Sequence, residues 1–442
     1  MVCLLLASFI GLPFARASID VEARIVSAIE WIEGQKLSDS QLAGFGRGTS
    51  APSNQTIFVE DQALVALALS DYHSTHNDGQ YDGLLKIAAD FIASARTSRG
   101  DFYEYYDTGS KRWHNSGYLY PWDAYAVAGL AAAASRVSSK DPQQLSYWTT
   151  LVAALKNSVN AFMYNRRSDG SWLFRDYRTG KAEALTRENA ILLVALLYIG
   201  LFESQWGSKQ QSAMYGQLAQ KTAGWLFSLQ DRNASHLTFG GFPQSDLNST
   251  QVSEGNGEVL LGVDSYYSII GVISSNPSPT IWDARAVMSN WVNGFVVEMR
   301  DQYGGPYYSR TSSSLATYPK TTRAAAWILQ ALDDIWINLG GNDYYANATL
   351  SYYWIIGENE LGIDLQGATS ISGSKGGFYT SITGAVVNKT STVDVAASTL
   401  YAMIRSALVQ IPEYPQGTGL LVLLVLTAVL AVSRQRKNEC RV

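Results

Sequence analysis

Six stretches of this 442-residue chain place a charged residue at the start of an Ala- and Leu-rich run, with glycine and aromatic residues just before it. The charged positions are Asp61 with its neighbour Glu60, then Asp123, Glu188, Glu258 or Asp264, Arg323, and Asp394. Five of the six are carboxylates. Paired carboxylates suit the cutting of a glycosidic bond, one protonating the leaving oxygen while the other activates water. Acids in a first helical turn also serve the helix itself, by accepting its free N–H groups and offsetting its dipole. Ser391-Thr392-Val393-Asp394 even has the spacing of a capping box. The two roles differ in geometry: catalytic acids converge on one pocket, whereas capping acids bond only their own helix end.

Among these acids Asp123 and Glu188 form the first-choice catalytic pair, with Glu258 or Asp264 in reserve. Asp123 follows Pro121 and Trp122, and its own loop holds Tyr103, Trp113 and His114. Trp172 and Tyr307 occupy corresponding loops, which makes these aromatics candidate stacking platforms for sugar rings. Glu254 and Glu258 lie in the glycine-rich SEGNGE stretch and read as loop acids. Arg323, with Lys320 nearby, breaks the acidic series; it either receives a substrate carboxylate or neutralises adjacent acids.

Other patterns carry less. His73 and His76 have H-x-x-H spacing but follow the first apolar helix, at the end away from the aromatic loops, and read as a solvated turn. Asp333-Asp334 likewise reads as solvent-facing. No P-loop, dinucleotide fingerprint, G-x-S-x-G elbow or HExxH pattern occurs, so no cofactor and no metal are expected.

The elements that must position these groups repeat. Gly44, Gly100, Gly170, Gly241, Gly305 and Gly377 each precede an aromatic stretch, at spacings of 56, 70, 71, 64 and 72 residues. Two helices and a hairpin loop fill such a spacing. Amphipathic helices are expected before each glycine, over 21–34, 84–95, 151–164, 218–230, 281–300 and 344–356. Second helices are expected from Glu60, Pro121, Thr186, Glu258 or Asp264, Thr321 and Val393, apolar on most faces and therefore buried. Loops such as 171–180, 101–112 and 305–312 alternate like β-hairpins. The expected fold is all-α: an (α/α)6 toroid of six helical hairpins, with short β-hairpins on one face rimming a funnel.

Composition and the chain ends bear on location. The net charge of -5 offers no basic patch for nucleic acid. Residues 1–17 read as a signal peptide, with an apolar run and Ala15-Arg16-Ala17 as the cleavage pattern, although no basic segment precedes it. The toroid domain is expected over 18–410, a linker over 411–418, a transmembrane segment over 419–433 and a basic cytoplasmic tail over 434–442. Both cysteines, Cys3 and Cys440, fall outside the toroid, so packing alone must hold it. Five N-x-[ST] sequons, at Asn54, Asn233, Asn248, Asn347 and Asn388, fit an exported glycoprotein on the outer face of the cell membrane.

Six helical hairpins, aromatic hairpin loops and acids at the second-helix starts together resemble the six-hairpin glycosidase superfamily over residues 20–408. The resemblance implies a saccharide in the funnel and inverting hydrolysis by two carboxylates, with lyases and epimerases as relatives. Pro412-Glu413-Tyr414-Pro415, the apolar run and the basic cluster resemble archaeal C-terminal sorting signals, with Tyr414 where a Phe is usual. Trp225-Leu226-Phe227-Ser228-Leu229-Gln230 and Gly240-Gly241-Phe242 are similar to the repeats of terpenoid-cyclase and prenyltransferase toroids. That similarity leaves a second reading, a non-catalytic glycan-binding or interaction module on such a scaffold.

Overall fold

The structure, a computed structural model, describes residues 21–48, 55–76, 79–98, 102–115, 121–134, 136, 173, 175–176, 183–370 and 372–409. The expected signal peptide, linker, transmembrane segment and tail, the outer helix over 151–164, and Trp172 lie outside the described residues.

In chain order the helices are α1 (Val21–Glu33), α2 (Val59–His76), α3 (Asp82–Ser94), α4 (Pro121–Ala134), α5 (Thr186–Trp206) and α6 (Lys209–Leu229). Then follow α7 (Ser253–Ile273), α8 (Ile281–Asn290), α9 (Thr322–Leu339), α10 (Asn342–Ile356) and α11 (Val393–Val409). Helix α8 runs on through a π-helical turn at Trp291–Val296. Helices α2, α4, α5, α7, α9 and α11 form the inner ring: each packs on the next, and α11 packs back on α2. Their apolar residues are buried around the whole circumference, because inner neighbours cover two sides and an outer helix a third. The long apolar α5 owes its hydropathy to that position, most of it being inside the ring. The outer helices show water only one side.

Small residues let the inner helices approach closely. A Cβ on Gly257 would lie 2.5 Å from that of Trp327 in α9, and one on Gly129 would lie 2.7 Å from the Ala63 Cα in α2. Gly257 also corrects an expectation. The SEGNGE stretch is not a loop but the first two turns of α7, which starts at Ser253. Glycine costs helix stability by roughly 1 kcal/mol relative to alanine, but here it permits the contact with α9.

The loops on the side of the inner-helix N-termini are stitched around the ring. Strand β1 (Thr56–Phe58), leading into α2, pairs with the next repeat's hairpin, β2 (Tyr105–Asp107) and β3 (Arg112–His114). Strand β4 (Gln251–Val252), leading into α7, pairs in the same way with β5 (Ser309–Arg310). Strand β6 (Lys320–Thr321), leading into α9, pairs with β7 (Lys375–Thr383). The Gly48–Thr392 bridge joins the last repeat to the first. Arg24 of α1, bonded to Asp364 at 2.7 Å and to Gln366 at 2.9 Å, adds a second closure between the two ends of the ring.

Candidate active site

Side chains from all six repeats meet on the axis of the ring, in the first turns of the inner helices. Glu60 comes from α2, Tyr125 from α4, Arg187 from α5, Glu254 and Glu258 from α7, Arg323 from α9, and Asp394 from α11. The two arginines bind them together. Arg323 Nη2 donates to Glu60 Oε1 at 2.8 Å and to Glu258 Oε1 at 3.0 Å, while its Nη1 donates to Asp394 Oδ2 at 3.1 Å. Arg187 donates from Nη2 to the same Glu60 oxygen at 3.0 Å and from Nε to the Tyr125 hydroxyl at 3.1 Å. Its Nε also lies 2.5 Å from Glu258 Oε2. Glu188 and Glu254 stand 3.8 Å from Arg187 on either side.

This arrangement splits the acidities of two neighbouring carboxylates. Burial disfavours the charged form of both. At Glu60 the combined pull of Arg323 and Arg187 wins and brings the pKa down to about 2. At Glu258, whose side chain is fully enclosed, burial wins over the same two arginines and the pKa rises to about 7. Near neutral pH one group is a fixed anion and the other exchanges its proton. Acid–base chemistry makes use of such a divergence between neighbouring titratable groups.

A cavity of about 360 Å³ opens beside this floor, between α5 and α7. Arg187, Glu188, Glu254 and Asn256 give it polar walls, and Phe242, Val259 and Tyr308 give it apolar ones. Its size and mixed lining suit a small polar ligand with apolar faces. An aromatic ladder on the rim runs Phe58, Tyr105, His114, directly opposite one another on β1, β2 and β3. Ring centroids are 5.0 Å and 4.7 Å apart, and the Arg47 guanidinium sits 4.0 Å above Phe58.

Of the four acids expected to be catalytic, the structure brings Glu188 and Glu258 to the axis, but not Asp123 or Asp264. Asp123 is fully buried and its Oδ1 accepts the Phe102 N–H at 2.8 Å, while Trp122 Nε1 donates to the Phe102 carbonyl at 3.2 Å. Two other repeats explain this pair. The Gln62 side chain grips both the N–H and the C=O of Phe45, and Asn256 does the same to Phe242. An amide supplies acceptor and donor together. In the second repeat a carboxylate supplies only the acceptor, and Trp122 provides the missing donor. Asp123 and Trp122 are therefore the clamp that holds a hairpin to its inner helix.

Asp264 lies three turns down α7, at the opposite end of the ring, where Asn338 Nδ2 donates to it at 2.5 Å. Asp333 and Asp334, expected in solvent, are buried there with it and with Asp71, around Arg405. Tyr103 stacks on Trp113 at 5.5 Å, and Trp113 also packs on Phe91 and Tyr106, so Trp113 belongs to the hairpin's own packing. Tyr307 lies beside Lys320, whose ammonium is 5.8 Å from its ring. Arg323 neutralises adjacent acids and is not a free receptor for a substrate carboxylate. Asp394 faces that arginine, not its own helix end. His73 and His76 pair with Asp82 and Glu22, and no cluster able to hold a metal ion occurs among the described residues. Sequence reasoning missed Glu60 as a partner of Glu258, and it missed Arg187 and Tyr125. Their only signal was the common position, within the first two turns of each inner helix.

The sequence matches no protein-family model, and no curated protein sequence resembles it significantly. Solved structures do resemble it. D-mannose isomerase superposes with a TM-score of 0.64 at 13% identity, over 90% of this chain and all of the other. Cellobiose 2-epimerase from Bacillus thermoamylovorans gives 0.61 at 10% identity, over 87% of this chain and 99% of the other. A GH76 α-mannanase from Bacteroides thetaiotaomicron gives 0.57 at 11% identity, over 88% and 96%. The fold is an (α/α)6 toroid. At these identities the likeness concerns architecture, and function has to be argued from the site.

Proposed function

We propose that this toroid is a carbohydrate-active enzyme that works by acid–base chemistry at the funnel floor, with glycoside hydrolysis as the reaction. The observation that carries the reading is the Glu60–Glu258 pair, drawn from opposite repeats and held at unlike acidity by the same two arginines. Glu258 supplies the proton to the leaving oxygen, and Glu60 remains the anion facing the developing positive charge. One guanidinium nitrogen touches both carboxylates, so the two lie closer together than the roughly 6.5–9.5 Å that inverting hydrolysis needs for its water. That spacing favours the retaining course. The neighbouring folds support the substrate class, being named for mannose, cellobiose and mannan.

A second reading, epimerisation or isomerisation of a free sugar, is favoured by Glu258 itself. A carboxyl with a pKa of about 7 also suits proton abstraction next to a carbonyl. Export and anchoring at the outer membrane face belong to the same proposal, on the strength of the apolar segment at each end and the basic residues after the second.

The test is a panel of manno- and gluco-oligosaccharides in D2O. Hydrolysis releases new reducing ends, whereas epimerisation exchanges the C2 hydrogen without releasing any. Glu258→Gln should abolish either activity with the thermal midpoint kept; as pH rises through about 7 the wild-type rate should fall for hydrolysis, where Glu258 gives a proton, and rise for epimerisation, where it takes one. Full activity in a folded Glu258→Gln variant would refute the assignment.

A further inference from the structure

The first turns of the inner helices meet at the funnel floor, and the C-terminal halves of α2, α9 and α11 meet around Arg405, with Tyr198 of α5 and Asp264 of α7 in the same cluster, so these helices run in one direction. The turns that lead back to the outer helices therefore share the end opposite the funnel. Three neighbouring repeats leave large apolar side chains in water there. Trp206 is the last residue of α5, Val272 the next to last of α7, and Ile337 lies in the last turn of α9. Ile281 and Trp282 open α8, which follows α7 directly. Trp282 is 67% exposed and Val272 63%. Because α5, α7 and α9 are successive members of the ring, these five side chains fall on one arc.

Scattered apolar residues on a surface need no explanation, but both of the tryptophans exposed among the described residues fall in this one group, and that does. Two tryptophans set among aliphatic residues, with the Arg285 guanidinium 5.6 Å from the Trp282 ring, have the composition of a water–lipid boundary. A second observation identifies the partner. Helix α11 also ends at this face, at Val409. The chain beyond it carries the apolar run over 419–433, followed by Arg434, Arg436, Lys437 and Arg441. Nine residues separate Val409 from that run, a tether of roughly 35 Å at full extension.

We propose that this arc rests on the headgroup region of a lipid bilayer, with the funnel opening away from the membrane. The inference rests on the anchor reading above and adds an orientation to it. Held this way, the site meets polymeric substrate from the aqueous side, and the lipid covers apolar surface that the fold leaves bare.

All twelve tryptophans of the chain lie between Trp31 and Trp354, so tryptophan fluorescence does not report on the tail. The full chain is reconstituted into phosphatidylcholine–phosphatidylglycerol vesicles whose acyl chains are brominated near the headgroup. The expected result is quenching of the wild type that is lost in a Trp206→Phe/Trp282→Phe variant, with vesicle flotation unchanged. Vesicle-bound wild type that is not quenched, or quenching that survives in the variant, would overturn the orientation while leaving the anchor standing. Failure of the full chain to float with vesicles would overturn both. A dimer in detergent that the double variant abolishes would assign the arc to a second copy of the chain instead.

Discussion

Replacing Asp333 by asparagine should change how stability depends on pH. Asp333 is buried at the end of the toroid away from the funnel, where the Ser406 hydroxyl donates to its Oδ2 at 2.5 Å. Burial is the dominant influence and raises its pKa from 3.8 to about 8, against the opposing effects of Ser406 and Arg405. In the unfolded chain the group ionises near 3.8, so between that value and about 8 the folded protein holds a proton that the unfolded chain has released. Stability from this group is therefore fully present below the unfolded pKa and is lost as pH rises towards the folded one. The loss amounts to about 1.4 kcal/mol per pH unit, or about 3 kcal/mol between pH 5 and pH 7. Asp71, Asp264 and Asp334 have raised values for the same reason, Asp264 to about 6, and steepen the wild-type slope in the same direction. Asparagine cannot ionise, so Asp333→Asn removes one proton's worth of slope. Its amide nitrogen lacks an obvious acceptor and costs about 1 kcal/mol at every pH. Urea unfolding at pH 5, 6 and 7 measures the difference between wild type and variant, which should move by about 3 kcal/mol in favour of the variant across that range. A difference that stays constant with pH would show that Asp333 is ionised in the fold, and would refute the burial argument.

Two further outcomes follow from the packing. Asp123→Asn should keep turnover and stability near wild type, since it restores the amide clamp used by Gln62 and Asn256; Asp123→Ala leaves the Phe102 N–H buried without an acceptor and should lower stability by about 1–3 kcal/mol in denaturant titration. Gly257→Ala forces a methyl group to within 2.5 Å of Trp327 Cβ and should cost about 1–3 kcal/mol through overpacking, read as a drop in thermal midpoint; an unchanged midpoint would mean that α7 and α9 can separate freely.

The repeat was legible because every hairpin obeys the same two constraints. Inner helices must be apolar all round, outer ones on one side only, and that contrast survives any choice of particular residues. The marker glycines were legible for a related reason. A Cβ on Gly305 would lie 2.3 Å from Trp354 Nε1, and one on Gly377 would lie 2.3 Å from Trp31 Cε2, so an outer-helix ring sits where a side chain would begin. Asp123 and the SEGNGE stretch were misleading for opposite reasons. Pro121-Trp122-Asp123 looked distinctive as chemistry, but its unusual composition replaces one amide with a carboxylate and an indole N–H. SEGNGE carries glycines that weaken a helix in isolation, and only the contact with Trp327 explains why Gly257 stands in one.

The amino-acid sequence alone determined the period, the sidedness of the helices, the position of the hairpin loops and the presence of charge at each inner-helix start, because these depend on composition and spacing within about seventy residues. It did not determine which charges face one another. A helix turns about 100° per residue, so adjacent residues such as Glu60 and Asp61 point in different directions, and the direction that reaches the axis is set by how α2 is rotated against α4 and α11. Closure of the ring decided that rotation. It brought Glu60 and Glu258, 198 positions apart in the chain, onto the same two arginines, and it sent Asp264 to the opposite end. The candidate chemistry of this protein is thus a property of the closed toroid, written in residues that no single repeat contains.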